Sequence, residues 1–374
     1  MCYDINNLPL EALLSAIARA EDKLARLDEI IRSSPVGEGL IERGHFFDAV
    51  ASMRIQGELV HVEDLVLHDA FMDVRAPTHE LTIAHTILRA RRRIALNEPS
   101  WAMSDNCIAA LTGNNQRDEE LLEEPGLPFA EDVENDRLVG DEADPLLIEM
   151  ARMDAILDRS KHLIEGHTIG RILQASNRDP LIVGDLLLRD PNWDEEDRLS
   201  QWKQTIKKIE DLPATLGAAL AYDAWESLEP MQRQHWVGSL LMSGYLRSKG
   251  KVASHLFCFN MGLKTIQRER RRSQNQTVRL LAMLDAMTAA AETGMKEIIR
   301  LKQAHEQMQR RLSGRRSSSS LPIVIDLILS RPIVSTAMVA KAAKLTSRGA
   351  LNLINELGVR ELTGRGRYKA WGVI

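Results

Sequence analysis

The last 54 residues, Leu321 to Ile374, carry the densest structural punctuation in this chain. Pro322 sits where a first helical turn tolerates proline, and Ile323 to Leu329 supply apolar residues. Arg331-Pro332 ends that helix, because proline cannot continue it. Ser335 or Thr336 offers an N-cap oxygen to a second helix reaching Ala343, with Val339, Ala342 and Ala343 as its small, close-packing face. Lys344-Leu345-Thr346 is short enough for a turn, and Thr346 or Ser347 caps a third helix that Gly358 stops after Leu357. Two candidate strands follow, Val359 to Thr363 and Arg367 to Val373, around a glycine-bearing hairpin. This is the order of a winged helix-turn-helix, which puts one helix in the DNA major groove.

The third helix divides into two faces at about 100° per residue. Ala350, Leu353, Ile354 and Leu357 fall together and are expected to pack inward, while Arg348, Asn352 and Asn355 share the opposite side. Arginine pairs well with guanine and asparagine with adenine, so these three are candidate base readers. Lys344, Thr346 and Ser347, in the turn and at the helix start, join them as candidate DNA contacts. Arg365, Arg367 and Lys369 would make the wing a phosphate contact. Eight Lys/Arg stand against three Asp/Glu in this segment, a net of +5. The competing reading is a small packing domain with a solvated polar face; the order of elements and the basic wing favour double-stranded DNA.

With 374 residues the chain has room for two or three domains, and 44% hydrophobic residues support real cores. Aromatics are only 4%, while Leu, Ala, Met, Glu and Arg abound, so the expected fold is mainly α. The net charge of −5 is unevenly spread. Lys264 to Arg316 carries 13 basic and 5 acidic residues, and with the terminal module the last 111 residues reach +13, leaving −18 on Met1 to Leu263. Such a split suits a C-terminal part that meets a polyanion. Cys2, Cys107 and Cys258 are scattered and show no metal-binding spacing, which points to a reducing cytoplasm. Asp4, Glu11 and Arg19 interrupt any signal peptide, and no apolar run approaches a membrane span.

Five regions are expected. Residues 1–113 form an N-terminal helical region, 114–145 an acidic linker or loop, 146–312 a helical domain ending in a long helix, 313–320 a flexible linker, and 321–374 the winged helix-turn-helix. Pro9 opens a helix with Leu10, Leu13, Leu14, Ile17, Leu24, Leu27 and Ile31 on one stripe. Helices follow at Ile41 to Ile55, Val62 to Met72, and Thr78 to Leu96, the last ending in the basic cluster Arg89 to Arg93, read as a solvated helix end. Further helices are expected at Leu146 to Glu165, Glu195 to Glu210, Ala214 to Ser227 and Met231 to Ser248, with Trp202, Trp225 and Trp236 as core anchors. From Gln276 to Leu312, apolar residues including Leu284, Met287, Ala291, Ile298, Leu301 and Met308 keep a 3–4 spacing. That stripe is either a homodimer seam or a packing face within the chain; Gly294 and His305, poor seam residues, favour the second.

Signals for catalysis are weak. His79 and His85 are six apart, so they do not share a helix face as a zinc motif requires, and His61 and His68 lack a third ligand. No phosphate loop, nucleophile elbow or dinucleotide fingerprint occurs. No catalytic residue, metal or cofactor is therefore expected.

Two resemblances add to this. Val339-Ala340, Gly349-Ala350 and Glu361-Leu362-Thr363-Gly364-Arg365 resemble the winged helix that closes many bacterial Fic proteins, and residues 48–57 resemble the helix before a Fic core. Ser52 and Gly57 match that family's inhibitory motif, but Gln56 replaces its glutamate. The Fic catalytic signature is absent; its nearest fragment, around His235, lacks the proline, acid, asparagine and arginine. The whole layout also resembles a family of uncharacterised, often plasmid-borne, alphaproteobacterial proteins that join a large domain of unknown function to a C-terminal helix-turn-helix. The expectation is a non-enzymatic, cytoplasmic DNA-binding transcriptional regulator; the alternative is a catalytically degenerate Fic-like scaffold that binds a protein or nucleotide.

Overall fold

Helix α1 (Leu10–Arg32) shows how this chain builds its core. Leu13, Ile17, Leu24, Leu27 and Ile31 are buried as their spacing requires, while Leu10 and Leu14, on the edge of the stripe, are 54% and 66% exposed. Their rotation around the helix carries them past the partner that covers the rest. That partner is the long helix α11 (Gln276–Leu312), which presents Leu284, Met287, Ala291, Ile298, Leu301 and Met308, all buried, within the same core cluster. The 3–4 stripe is thus occupied inside the chain. Gly294 eases the packing: a Cβ there would stand 2.9 Å from Leu27 Cδ1, the end of a side chain that would have to shift.

The computed structural model describes Tyr3 and residues 8–72, 76–112, 193–312, 320–363 and 369–373. The acidic stretch 114–145, the helix expected at 146–165 and linker residues 313–319 lie outside the described residues. Between α1 and α11 come α2 (Gly37–Gln56), α3 (Val62–Asp69), α4 (His79–Leu96), a 3₁₀ turn at Pro99–Met103, and α5 (Asp105–Thr112). Then follow α6 (Glu195–Lys208), α7 (Ala214–Leu228), α8 (Val237–Ser248) and the short α9 (Phe259–Leu263) and α10 (Arg268–Arg271). The C-terminal module consists of α12 (Leu321–Ser330), β1 (Val334–Ser335), α13 (Thr336–Ala343), α14 (Ser347–Leu357), β2 (Arg360–Glu361) and β3 (Ala370–Gly372). The fold is mainly α.

Several boundaries differ from expectation for local reasons. Helix α2 starts at Gly37, not Ile41, directly against the end of α1, where a Cβ at Gly37 would meet the Ile31 carbonyl oxygen at 2.3 Å. Helix α3 stops at Asp69, before Phe71 takes a φ of 56°. Helix α8 begins at Val237; residues 231–236 are a turn that inserts Trp236 into the core. Thr78 caps α4 as expected, accepting from the Leu81 N–H at 3.3 Å. Trp202 and Trp225 are also buried and meet edge to face with centroids 5.3 Å apart.

The basic end of α4 is not a solvated one. Only Arg89 is exposed, and Arg91 is completely buried. Its Nη1 donates to Asp48 Oδ2 at 2.5 Å and its Nη2 to the carbonyls of Leu256 and Phe257. Asp48, equally buried, also accepts from Asn260 Nδ2 at 3.0 Å and the Met261 N–H at 3.2 Å. Arg93 lies over the Trp101 ring.

Candidate nucleic-acid interface

Three caps shape the terminal module. Ser335 Oγ accepts from the Met338 N–H and starts α13; Thr346 Oγ1 accepts from the Gly349 N–H and starts α14, each at 3.2 Å. Gly358 ends α14 in the left-handed region with a φ of 58°. The turn between α13 and α14 is closed by Lys344, which takes the same region at a φ of 53° without being a glycine. Strands β1, β3 and β2 form an antiparallel sheet in that order, pairing Val334 with Trp371 and Arg360 with Gly372.

Helix α14 is the most sharply two-sided element of the module. Ala350, Ile354 and Leu357 are buried and Leu353 is half-buried. Arg348, Asn352 and Asn355 are all exposed on the other face, and Lys344, Thr346 and Ser347 are exposed at its N-terminal end. The apolar residues Leu345 and Leu351 flank this face at 39% and 37% exposure, a feature that the polar pattern gave no reason to single out. Arg365 and Arg367 lie outside the described residues. Lys369 is exposed but bonds Glu361 Oε2 at 3.2 Å across the hairpin, so its charge is partly answered within the protein.

The opposite side of the module is docked on the helical body. Arg43 of α2, 1% exposed, donates through Nη1 to the Arg331 carbonyl at 2.6 Å, through Nη2 to the Val373 carbonyl at 3.4 Å, and through Nε to Glu297 at 3.2 Å. Burial pushes the Arg43 guanidinium down to about 10, against the pull of Glu297. The Arg331 side chain reaches back to Asp69 Oδ2 at 3.2 Å and lies over the Phe46 ring. Asp69 also holds Arg92 at 2.7 Å and His85 at 3.4 Å. Burial opposes the ionised Asp69, but the His85 and Arg92 hydrogen bonds outweigh it and keep this carboxyl below the usual range. Arg311 of α11 adds a bond to the Glu356 carbonyl at 3.2 Å. Arg331, read from sequence as a helix stop and one of the module's cations, therefore faces the protein. These docking residues were missed because their partners are hundreds of positions away.

The residues weighed for catalysis are not gathered together. His79 is exposed at the start of α4, while His85 stacks edge-on against His68 at 4.7 Å. His235 is exposed in the turn before α8, and Gln56 is exposed at the last position of α2. Among the described residues no three His, Cys, Asp or Glu side chains group as metal ligands, and no helix is long and apolar enough to cross a membrane. Burial pushes the thiols of Cys107 and Cys258 up to about 12, so neither is a ready nucleophile.

Comparison with known proteins fits this division. Residues 187–313 match a family described as a protein of unknown function (DUF1612), and residues 321–374 match one described as an HTH DNA binding domain. The chain is 44% identical over 386 aligned residues to an uncharacterised protein, y4cF, of Sinorhizobium fredii, with 100% of both chains covered. These matches carry the second of the two resemblances and not the Fic one. This chain, with its DUF1612 match ahead of a C-terminal helix-turn-helix DNA-binding match, belongs to the family of this Sinorhizobium fredii protein.

Proposed function

We propose that this protein is a sequence-specific, non-enzymatic regulator of transcription that acts from the cytoplasm on double-stranded DNA. The observation that carries the reading is α14: one face holds the module together and the other leaves Arg348, Asn352 and Asn355 exposed on a capped helix. Arg and Asn side chains on such a helix match the guanine and adenine edges of the major groove. Lys344, Thr346 and Ser347 would hold phosphates at its N-terminal end, where backbone N–H groups favour anions. The segment of sequence between β2 and β3, with Arg365, Arg367 and Lys369, would act as the wing on the adjacent backbone. Docking on the helical body leaves this face outward, which supports a role in which the body positions the reader.

The test is recovery of bound genomic DNA with the intact protein, followed by binding to a randomised duplex pool. A single enriched motif, lost when Arg348 and Asn352 are replaced, is the expected result. Recovery no greater than that of a charge-matched control protein would overturn the reading.

A further inference from the structure

A pocket of about 360 Å³ opens on the helical body, between α1, α2, α11 and residues 255–264. Its size falls within the roughly 300–1,000 Å³ of small-molecule sites. The walls are largely apolar, with Leu27, Ile31, Leu40, Phe47 and Met261 among them. Three charged side chains also line it: Lys264, Arg300 and Glu297.

The two cations are incompletely answered. Arg300 Nη2 bonds Glu297 Oε1 at 2.6 Å, yet Arg300 Nε is buried with no hydrogen-bond partner. A buried donor without an acceptor is costly, and a ligand acceptor removes that cost. The Lys264 ammonium has the Met261 thioether at 3.4 Å as its hydrogen-bond acceptor and no carboxylate within ion-pair distance among the described residues. Thioethers accept weakly. Glu297 is already held by both Arg300 and Arg43. Arg43, Arg300 and Lys264 stand against the one carboxylate of Glu297, so the lining and its clamp leave net positive charge for an anionic occupant. His255 adds none at neutral pH, since burial favours its neutral ring against the pull of Asp28.

We infer that this pocket is a binding site for an amphiphilic monoanion, an apolar chain ended by one carboxylate, with the chain among Leu27, Ile31, Leu40 and Phe47 and the carboxylate at Arg300 and Lys264. The site is independent of the DNA reading. It shares Glu297 with the clamp on the terminal module, because Glu297 also holds Arg43.

The experiment is calorimetric titration of the full chain with decanoate, below its micelle-forming concentration, and with decanol as the neutral control. Saturable decanoate binding at one site, at least about tenfold tighter than decanol, is expected for a gained charge-assisted contact. Lys264→Glu, at an exposed position, should weaken decanoate about tenfold or more and leave decanol unchanged. Ile41→Trp, at a half-buried wall position, should weaken both. Circular dichroism checks that each variant is folded. Absence of saturable decanoate binding by the parent, or equal affinity for decanoate and decanol with no effect of Lys264→Glu, overturns the inference.

Discussion

Two basic runs look alike in this sequence and meet opposite fates. Arg89 to Arg93 in α4 turns mostly into the protein, where Arg91 is 0% exposed and pairs with Asp48. Lys341, Lys344 and Arg348, around the turn between α13 and α14, remain exposed. Counting charges does not separate them; helical phase does. Arg91 shares the stripe of Ala84, Ile87, Leu88 and Ile94, all buried, whereas Arg348 stands opposite Ala350, Ile354 and Leu357. An arginine in phase with an apolar stripe requires a buried partner, since an unpaired interior charge is prohibitively costly. An arginine out of phase is available to another molecule.

The comparison breaks most visibly at Arg91. Arg91→Ala leaves Asp48 as a buried carboxylate with only neutral donors, and removing one partner of such a pair costs about 3–5 kcal/mol. Urea unfolding of the intact chain should show that loss, and Arg89→Ala should fall within about 0.5 kcal/mol of the parent. Equal, small effects at both positions would mean that the pair contributes little and that phase does not sort this run.

Arg43 is the next largest test, because it links the body to the module. Arg43→Ala leaves the Arg331 and Val373 carbonyls without this donor, at about 1–3 kcal/mol for each group that stays buried and unsatisfied. Amide exchange should accelerate in 333–335 and 370–373 more than in α7, the interior helix. Acid should act on the same docking through Asp69. Its folded pKa is depressed, so its contribution is complete above the unfolded value, near 4, and is lost as pH falls below it. His45, buried with its folded pKa well below 6.5 through burial and nearby arginines, adds a loss that begins as pH falls below about 6.5. Stability should therefore decline in two stages from pH 7 to pH 3; a flat profile would show that these groups are not charged and neutral as described.

What was legible in the sequence follows the same division. The caps at Thr78, Ser335 and Thr346, the stop at Gly358 and the inward face of α14 depend on neighbours within four positions, so local rules place them. The Arg43 contact with Val373 spans 330 positions, and that of Arg331 with Asp69 spans 262. No periodicity encodes those pairings. Arg91 falls between these cases, because its phase was readable and its partner was not. Gly294 taught the reverse lesson: it looked like a flaw in a seam and is where the Leu27 side chain of α1 comes within 2.9 Å of a would-be Cβ.

On the outward face the expected effects concern discrimination more than stability. Arg348→Ala with Asn352→Ala should lose about 1–3 kcal/mol of preference per base contact while binding to arbitrary duplex falls much less. Competition between an enriched motif and random DNA measures this. An unchanged preference would put base reading on another element and end the contrast between α14 and α4.

Lys344 gives the smallest and sharpest test, since it serves the fold and the proposed interface with different parts of one residue. Its backbone holds a φ of 53°, where a side chain costs about 1–2 kcal/mol and glycine nothing comparable. Its exposed ammonium is a candidate phosphate contact. Lys344→Gly should therefore raise stability by up to about 1 kcal/mol, because the relief of strain is partly offset by the greater freedom of glycine in the unfolded chain. The same change should weaken DNA binding alike for all sequences and lower the log–log salt slope by about 0.9, the signature of one lost phosphate contact. Lys344→Ala removes the same charge without relieving the backbone, so it should share the binding loss and lack the stability gain. If both variants bind with the parent's salt slope, Lys344 is a turn residue alone, and the exposed run contacts DNA only from Arg348 onward.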